Sequence, residues 1–197
     1  MVTPLDNLSK YRIILASGSP RRRELMSLLD IDFEVNTSID VDESHDGISS
    51  REVAPFLSRV KADAYRALLT SGGNELVITA DTVVILDDKV LGKPRDSREA
   101  VGMLSALSGR VHEVITGVTV MTAGKTVTFS ATSKVEFAPL STDEIEYYVN
   151  RFRPLDKAGA YGIQEWIGAA GIRGIDGSFY NVMGLPVHRL YDTLKEF

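Results

Sequence analysis

The sequence predicts an α/β fold built on a mixed sheet flanked by helices. Three observations carry that prediction. Short apolar runs of strand character alternate with stretches that open on helix-capping residues. Two long β-rich runs, 111–121 and 126–137, meet at Ala123-Gly124 and read as an antiparallel hairpin. No repeat, low-complexity tract or clear linker divides the 197 residues, so residues 1–197 are expected to form one domain, or one domain with two lobes.

Composition narrows the classes. Hydrophobic residues make up 44% and charged residues 25%, as in globular proteins with a sizeable core. The net charge of −5 disfavours a general nucleic-acid binder, so any basic site must be local. There are no cysteines, which excludes disulfides, thiolate catalysis and cysteine metal ligands. No apolar run approaches the ~20 residues of a membrane span, and residues 1–10 lack the apolar core of a signal peptide. A cytoplasmic protein that binds neither membrane nor nucleic acid is the expectation.

Residues 11–16 form the first strand candidate. Ser19 is placed to cap a following helix with Pro20 at its first position; Leu25, Leu28 and Leu29 give its apolar stripe to about Asp30. Residues 32–36 read as a second strand, with Phe33 and Val35 on one face and Glu34 on the other, before an acidic loop containing Asp40, Asp42, Glu43 and Asp46. Ser49-Ser50-Arg51-Glu52 has the capping-box pattern and opens a helix to about Leu69, with Val53, Phe56, Leu57, Val60, Ala64 and Leu68 as its stripe and Lys61 off it. A turn is expected at Ser71-Gly72-Gly73-Asn74, then a strand over 75–80 that continues extended over 82–86. Asp87-Asp88 turns a hairpin into 89–91. Asp96 with Glu99 starts a helix that Ser108-Gly109 ends, and Ser141 through Glu144 caps another to about Asn150. The glycine- and aromatic-rich stretch 154–184 suggests short strands at most, and 186–197 closes with a helix.

Candidate chemistry gathers at a few places. In Leu15-Ala16-Ser17-Gly18-Ser19-Pro20-Arg21-Arg22-Arg23 an apolar strand meets a small-residue loop and a helix start. That layout suits an anion, because the loop admits close approach and the helix N-terminus offers unpaired N–H groups. Three arginines there oppose the helix dipole unless something anionic is bound; an ordinary βα turn is the alternative. No Walker A ending is present. Asp81, at the end of its apolar run, is placed to bind Mg²⁺, orient a water, or simply cap a turn. Gly92-Lys93-Pro94-Arg95-Asp96 sets two cations in a loop suited to phosphate, or to solvent. Within Asp156-Lys157-Ala158-Gly159-Ala160-Tyr161-Gly162-Ile163-Gln164, small residues permit a flat ligand and the Gln164 amide offers both donor and acceptor to a base edge; a structural turn is the alternative. Glu34 is a second candidate metal carboxylate or a surface acid. His45, His112 and His188 have no metal-ligand spacing, and no Gly-x-Ser-x-Gly occurs.

Taken in order, these stretches resemble one family closely. Ala16-Ser17-Gly18-Ser19-Pro20-Arg21-Arg22, Thr79-Ala80-Asp81-Thr82-Val83-Val84, Gly92-Lys93-Pro94-Arg95-Asp96, Leu107-Ser108-Gly109-Arg110-Val111-His112, the 156–164 stretch and Gly184-Leu185-Pro186 are similar to the motifs of the Maf proteins, the nucleoside triphosphate pyrophosphatases also called septum formation inhibitor Maf. The resemblance covers nearly the whole chain from about Tyr11. It implies hydrolysis between the α and β phosphates with a divalent cation, Mg²⁺ or Mn²⁺, a long curved sheet with a substrate cleft between two lobes, and a homodimer. It places the catalytic proton acceptor at Asp81 and phosphate-handling or metal-associated roles at Ser17, Arg22, Glu34, Lys61 and Lys93. The subfamily positions are Arg21, Thr82 and Gln164, which resemble the branch acting on dTTP and UTP; the branch preferring 7-methyl-GTP has tryptophan and glutamate in place of Arg21 and Gln164. Glu165-Trp166-Ile167 departs from the pattern, where a glycine often follows the glutamine, and Gly177-Ser178-Phe179-Tyr180-Asn181-Val182-Met183 also differs in detail. A nucleotide-binding regulator of septum formation without turnover, and a house-cleaning pyrophosphatase for purines, are the other readings.

Overall fold

The computed structural model describes residues 4–69 and 73–197. In chain order the strands are β1 (Arg12–Leu15), β2 (Glu34–Val35), β3 (Glu75–Leu86), β4 (Lys89–Leu91), β5 (Val111–Met121), β6 (Thr126–Phe137) and β7 (Ile172–Asp176). The α-helices are α1 (Pro20–Ser27), α2 (Val53–Ala64), α3 (Ser97–Leu107), α4 (Thr142–Phe152), α5 (Trp166–Gly171), α6 (Phe179–Met183) and α7 (Val187–Leu194). One mixed sheet runs β2-β1-β3-β5-β6-β7, with β4 paired to β3. β1 is parallel to both β2 and β3, whereas β3–β4 and β6–β7 are antiparallel. Among the described residues, no helix is long and apolar enough to cross a membrane.

The chain divides into two compact units. The first comprises the chain up to Asp81, Thr116–Ala131 and Gly184–Phe197; the second comprises Thr82–Ile115 and Thr132–Met183.

In the first unit, Ile14, Ala16, Tyr65 and Val77 form a buried cluster, with Ile39 and Leu69 packed against it. β1 follows β3 in register from Arg12↔Glu75 to Leu15↔Ile78, and the Ala16 amide donates to the Ile78 carbonyl before the chain leaves the sheet. Helix α1 is capped by Ser19, with Pro20 at its first position, as expected. It ends at Ser27, so Leu28 falls beyond it and is 58% exposed; Leu25 and Met26 are the buried pair instead of the expected leucine stripe. The second strand is only two residues long, and both are exposed.

The capping box at Ser49 does not form. A 3-10 turn over Ser50–Glu52 carries the Glu52 amide to the Ser49 carbonyl, and the α-helix begins only at Val53. The buried side of α2 holds Val53, Ala54, Leu57, Ser58 and Ala62, one step around from the expected stripe. Lys61 lies on that side, its side chain 17% exposed, and not off it. Two features dock this face. Ser58 Oγ donates to the Pro55 carbonyl and meets Thr119 Oγ1 at 3.0 Å, Thr119 meets Thr128 at 2.9 Å, and Thr79 Oγ1 donates to the Ser58 carbonyl. A side chain at Gly117 would overlap the Ala54–Pro55 backbone, so glycine lets the helix start lie directly on β5.

In the second unit, Asp87 and Asp88 both take positive φ, matching the right-handed twist of a two-residue hairpin turn between β3 and β4. Asp96 and Ser141 cap α3 and α4 as expected, the latter with a complete capping box. The stretch 154–184 holds more than short strands, namely α5, β7 and α6. Helix α5, Trp-Ile-Gly-Ala-Ala-Gly, is six residues with two glycines and has no apolar period to reveal it. Trp166 opens it, its ring edge-on to Tyr147. Buried His112, Phe137 and Tyr161 form an edge-to-face cluster. The turn expected at 71–74 lies in part outside the described residues.

Candidate active site

In the first unit, the small-residue loop holds its arginine in place. Ser17 is buried, and its Oγ accepts from the Ser19 amide (3.4 Å) and from Arg22 Nη1 (3.3 Å). Arg22 Nε donates to the Gly184 carbonyl at 2.9 Å. The guanidinium is therefore folded back over the loop at the start of α1. Burial draws it below its ordinary pKa, an effect that the charges of Asp81 and Glu43 oppose and Arg21 reinforces. The three arginines separate accordingly: Arg22 is fixed at the loop, Arg21 is partly buried and electrostatically coupled to it, and Arg23 is exposed. A Cβ at Gly18 would meet only the Thr37 methyl, at 3.7 Å, and Gly18 has no positive φ. Packing thus does not demand this glycine; its effect is to leave the loop backbone uncovered.

Asp81 sits within β3, not at its end: the strand runs on to Leu86, while β1 pairs with it only as far as Ile78. Its carboxylate is 13% exposed and accepts from Lys61 Nζ at 2.6 Å. The same ammonium lies 2.9 Å from Glu43 Oε1. Two carboxylates thus share one cation, and Arg22 feels the charge of both. Glu43 belongs to the acidic loop of the sequence, an irregular segment with no periodicity to single out one member. Glu34 is engaged elsewhere, in a two-point contact with Arg12 (3.0 and 2.8 Å) on the surface. Among the described residues, no group of three or more His, Asp or Glu side chains is arranged to hold a metal by itself.

In the second unit, the Gly92–Asp96 loop and the 156–164 stretch are bonded together: the Gly159 amide donates to the Gly92 carbonyl at 3.1 Å. Gly159 has φ +67, and a Cβ there would meet the Val84 side chain at 2.9 Å, so this close approach requires glycine. Lys93 is exposed beside buried Pro94. Arg95 is drawn to Glu99 (2.9 Å) and Asp96 caps α3, so these two serve the helix start. Thr82 is partly buried and Gln164 exposed. The structure thus brings Ser17, Arg21, Arg22, Lys61 and Asp81 into one unit with Glu43, and sets Thr82, Lys93 and Gln164 in the other.

A mixed α/β sheet thus carries an arginine-bound small-residue loop and a lysine-bridged pair of carboxylates in one unit. The particular family follows from comparison: the Maf-like protein family model matches residues 12–197, and the chain belongs to that family. It is 57% identical over 194 residues to the dTTP/UTP pyrophosphatase of Parabacteroides distasonis, covering 98% of this chain and 100% of that one. It is 55% identical to the proteins of that name from Bacteroides thetaiotaomicron and Porphyromonas gingivalis, again over 98% of its length and 98–99% of theirs. Among solved structures, the Staphylococcus aureus Ham1 protein shares the fold, with a TM-score of 0.56 over 94% of this chain and 98% of that chain at 18% identity.

Proposed function

We propose that this chain hydrolyses dTTP and UTP at the bond between the α and β phosphates. Water is consumed, and the nucleoside monophosphate and pyrophosphate are released. The observation that carries the proposal is the Lys61-bridged pair of Asp81 and Glu43, in the same unit as the Ser17–Arg22 loop. The names of the relatives favour the same substrates.

Asp81 accepts the proton of the attacking water, while Lys61 holds the carboxylate in one orientation. Arg22 and Ser17 contact phosphate oxygens, with the uncovered backbone at Gly18 allowing close approach. The charge that develops on departing pyrophosphate is opposed by fixed cations, which need no reorganisation at the moment of reaction. Lys93 adds a further cation. Arg21, Thr82 and Gln164 set base preference, with the Gln164 amide able to donate and accept together.

The donor set fits a divalent cation. Mg²⁺ is commonly bound by one or two carboxylates plus substrate phosphates, and Asp81 and Glu43 lie near one another on either side of the Lys61 ammonium. Those two residues, with Glu43 in place of Glu34, would hold Mg²⁺ or Mn²⁺. The bound ion supplies neutralisation of the phosphate charge. The proposal also takes the enzyme to be cytoplasmic and homodimeric; light scattering on purified protein tests the second point.

The direct test is a panel of dTTP, UTP, ITP and GTP with Mg²⁺ or Mn²⁺, with pyrophosphate measured. Release favouring dTTP and UTP is the expected result. Tight nucleotide binding without release would favour a regulator, and preference for ITP would favour purine house-cleaning.

A further inference from the structure

Gln164 is an exposed side chain between a buried isoleucine, Ile163, and a half-buried glutamate, Glu165. On one side, the Ile163 carbonyl lies so close to Gly168 that a side chain there would collide with it. On the other, Glu165 is drawn inward, its side chain 19% exposed. One Glu165 oxygen lies 3.2 Å from Lys157 Nζ; the other accepts the hydroxyl proton of Tyr148 in a short hydrogen bond. Tyr148 in turn accepts from the Gly162 amide at 3.0 Å. Lys157 is buried and also bonds Asp156 at 2.7 Å. A Cβ at Gly162 would fall 2.9 Å from the Glu165 carboxyl carbon and 3.0 Å from Lys157 Cε, so the carboxylate occupies space that only glycine leaves. The backbone adds a turn, with the Glu165 amide donating to the Gly162 carbonyl at 3.0 Å.

These contacts tie both ends of the segment around Gln164 to α4 and to Lys157. The Glu165 carboxylate has both a cation and a hydroxyl donor, Lys157 is shared between Glu165 and Asp156, and Tyr148 uses its oxygen as donor and acceptor. Hydrogen bonds and an ion pair converging on the buried Tyr148 and Lys157 side chains rigidify what they hold. An exposed amide with two rotatable donors and an acceptor gains selectivity when its backbone is fixed, because a free segment could swing to suit a different base edge.

We propose that Glu165 is a positioning residue for base selection, acting through Gln164 and anchored by Lys157 and Tyr148. The inference rests on Gln164 facing the base, as in the proposed function. The carboxylate never touches substrate; it sets where the neighbouring amide points. The family pattern often places glycine after the glutamine, so this chain uses a side-chain anchor at that point.

The test separates base selection from turnover. Affinities for α,β-methylene dTTP and α,β-methylene GTP are measured by calorimetry for wild type, Glu165→Ala, Gln164→Ala and the double variant, with kcat and KM for dTTP and GTP alongside. We expect the wild-type binding ratio to favour thymine and Glu165→Ala to lower it about tenfold. We expect Glu165→Ala to add nothing in the Gln164→Ala background. Glu165→Gln, which keeps a hydrogen-bonding group, should restore part of the ratio. An unchanged ratio in Glu165→Ala, or an equal further drop in the double variant, overturns the proposal; so does a uniform loss of affinity for both nucleotides. If Glu165→Ala does not fold, Tyr148→Phe removes only the hydroxyl and should lower the ratio about threefold, with no change again counting against it. A wild type that discriminates in binding, with the variants behaving as expected but no pyrophosphate released, overturns the proposed hydrolysis and supports the positioning role.

Discussion

Replacing Gly117 with alanine tests how the fold holds Lys61 against Asp81. The added methyl would lie about 1 Å inside ordinary contact with the backbone of Ala54 and Pro55, which has no side-chain freedom with which to yield. Helix α2 must retreat by a similar distance. The 3.0 Å contact between Ser58 and Thr119 then opens beyond hydrogen-bonding range, leaving buried hydroxyls short of a partner. Overpacking at about 1–3 kcal/mol and a lost buried hydrogen bond at about 1 kcal/mol together give roughly 3 kcal/mol. For a chain of this size, that corresponds to a fall in Tm of about 6–12 °C. The same helix carries Lys61, and an ångström of misplacement at a catalytic group costs up to about 10²-fold in rate. Thermal unfolding followed by circular dichroism, with pyrophosphate release at 25 °C, measures both effects. Ser58→Ala is the companion variant: it should lower Tm by a smaller amount and leave kcat close to wild type, because the helix does not move. A Gly117→Ala protein with wild-type Tm and kcat would refute the argument that this glycine sets the helix position.

Gly18→Ala should leave Tm unchanged, since the methyl has room, yet raise KM for dTTP several-fold by covering the loop backbone; steady-state kinetics beside a melting curve reads both. Glu34→Ala should retain activity and metal dependence, whereas Glu43→Ala should raise the Mg²⁺ concentration needed for half-maximal rate by tenfold or more. Burial pushes His112 down to about 4, and its Nδ1 has no partner among the described residues. The unfolded chain binds its proton near 6.5, so unfolding takes up a proton between pH 6.5 and 4. Stability from neutral His112 is complete above pH 6.5 and lost as pH falls to 4, by a few kcal/mol. His112→Phe should flatten urea-unfolding stability across that range, relative to wild type.

Sequence revealed local rules well. Ser19, Asp96 and Ser141 cap their helices because each side chain satisfies a backbone amide three residues on, a requirement that needs no tertiary information. The Asp87-Asp88 turn and the strands β5 and β6 were legible for the same reason. The box at Ser49 failed because a 3-10 turn satisfied the Glu52 amide with backbone instead. The buried side of α2 was misjudged because it carries Ser58 and Lys61, polar residues whose burial depends on partners far along the chain in Thr119 and Asp81. At the site, Asp81, Ser17 and Arg22 stood out through motifs, and Lys61 only through the family resemblance. The partners of Glu43 and Glu165 were not legible, because a loop acid gains its meaning only when the fold supplies the lysine that meets it.

In the proposed mechanism Asp81, held by Lys61, carries the proton transfer for hydrolysis of a pyrimidine triphosphate. Its most direct test is pyrophosphate release from dTTP by Asp81→Asn, a variant that keeps an oxygen for Lys61 and leaves Glu43 in place. The expected result is a loss of about 10²–10⁴-fold in kcat with an unchanged melting curve. A folded Asp81→Asn protein turning over dTTP within a few-fold of wild type would contradict it.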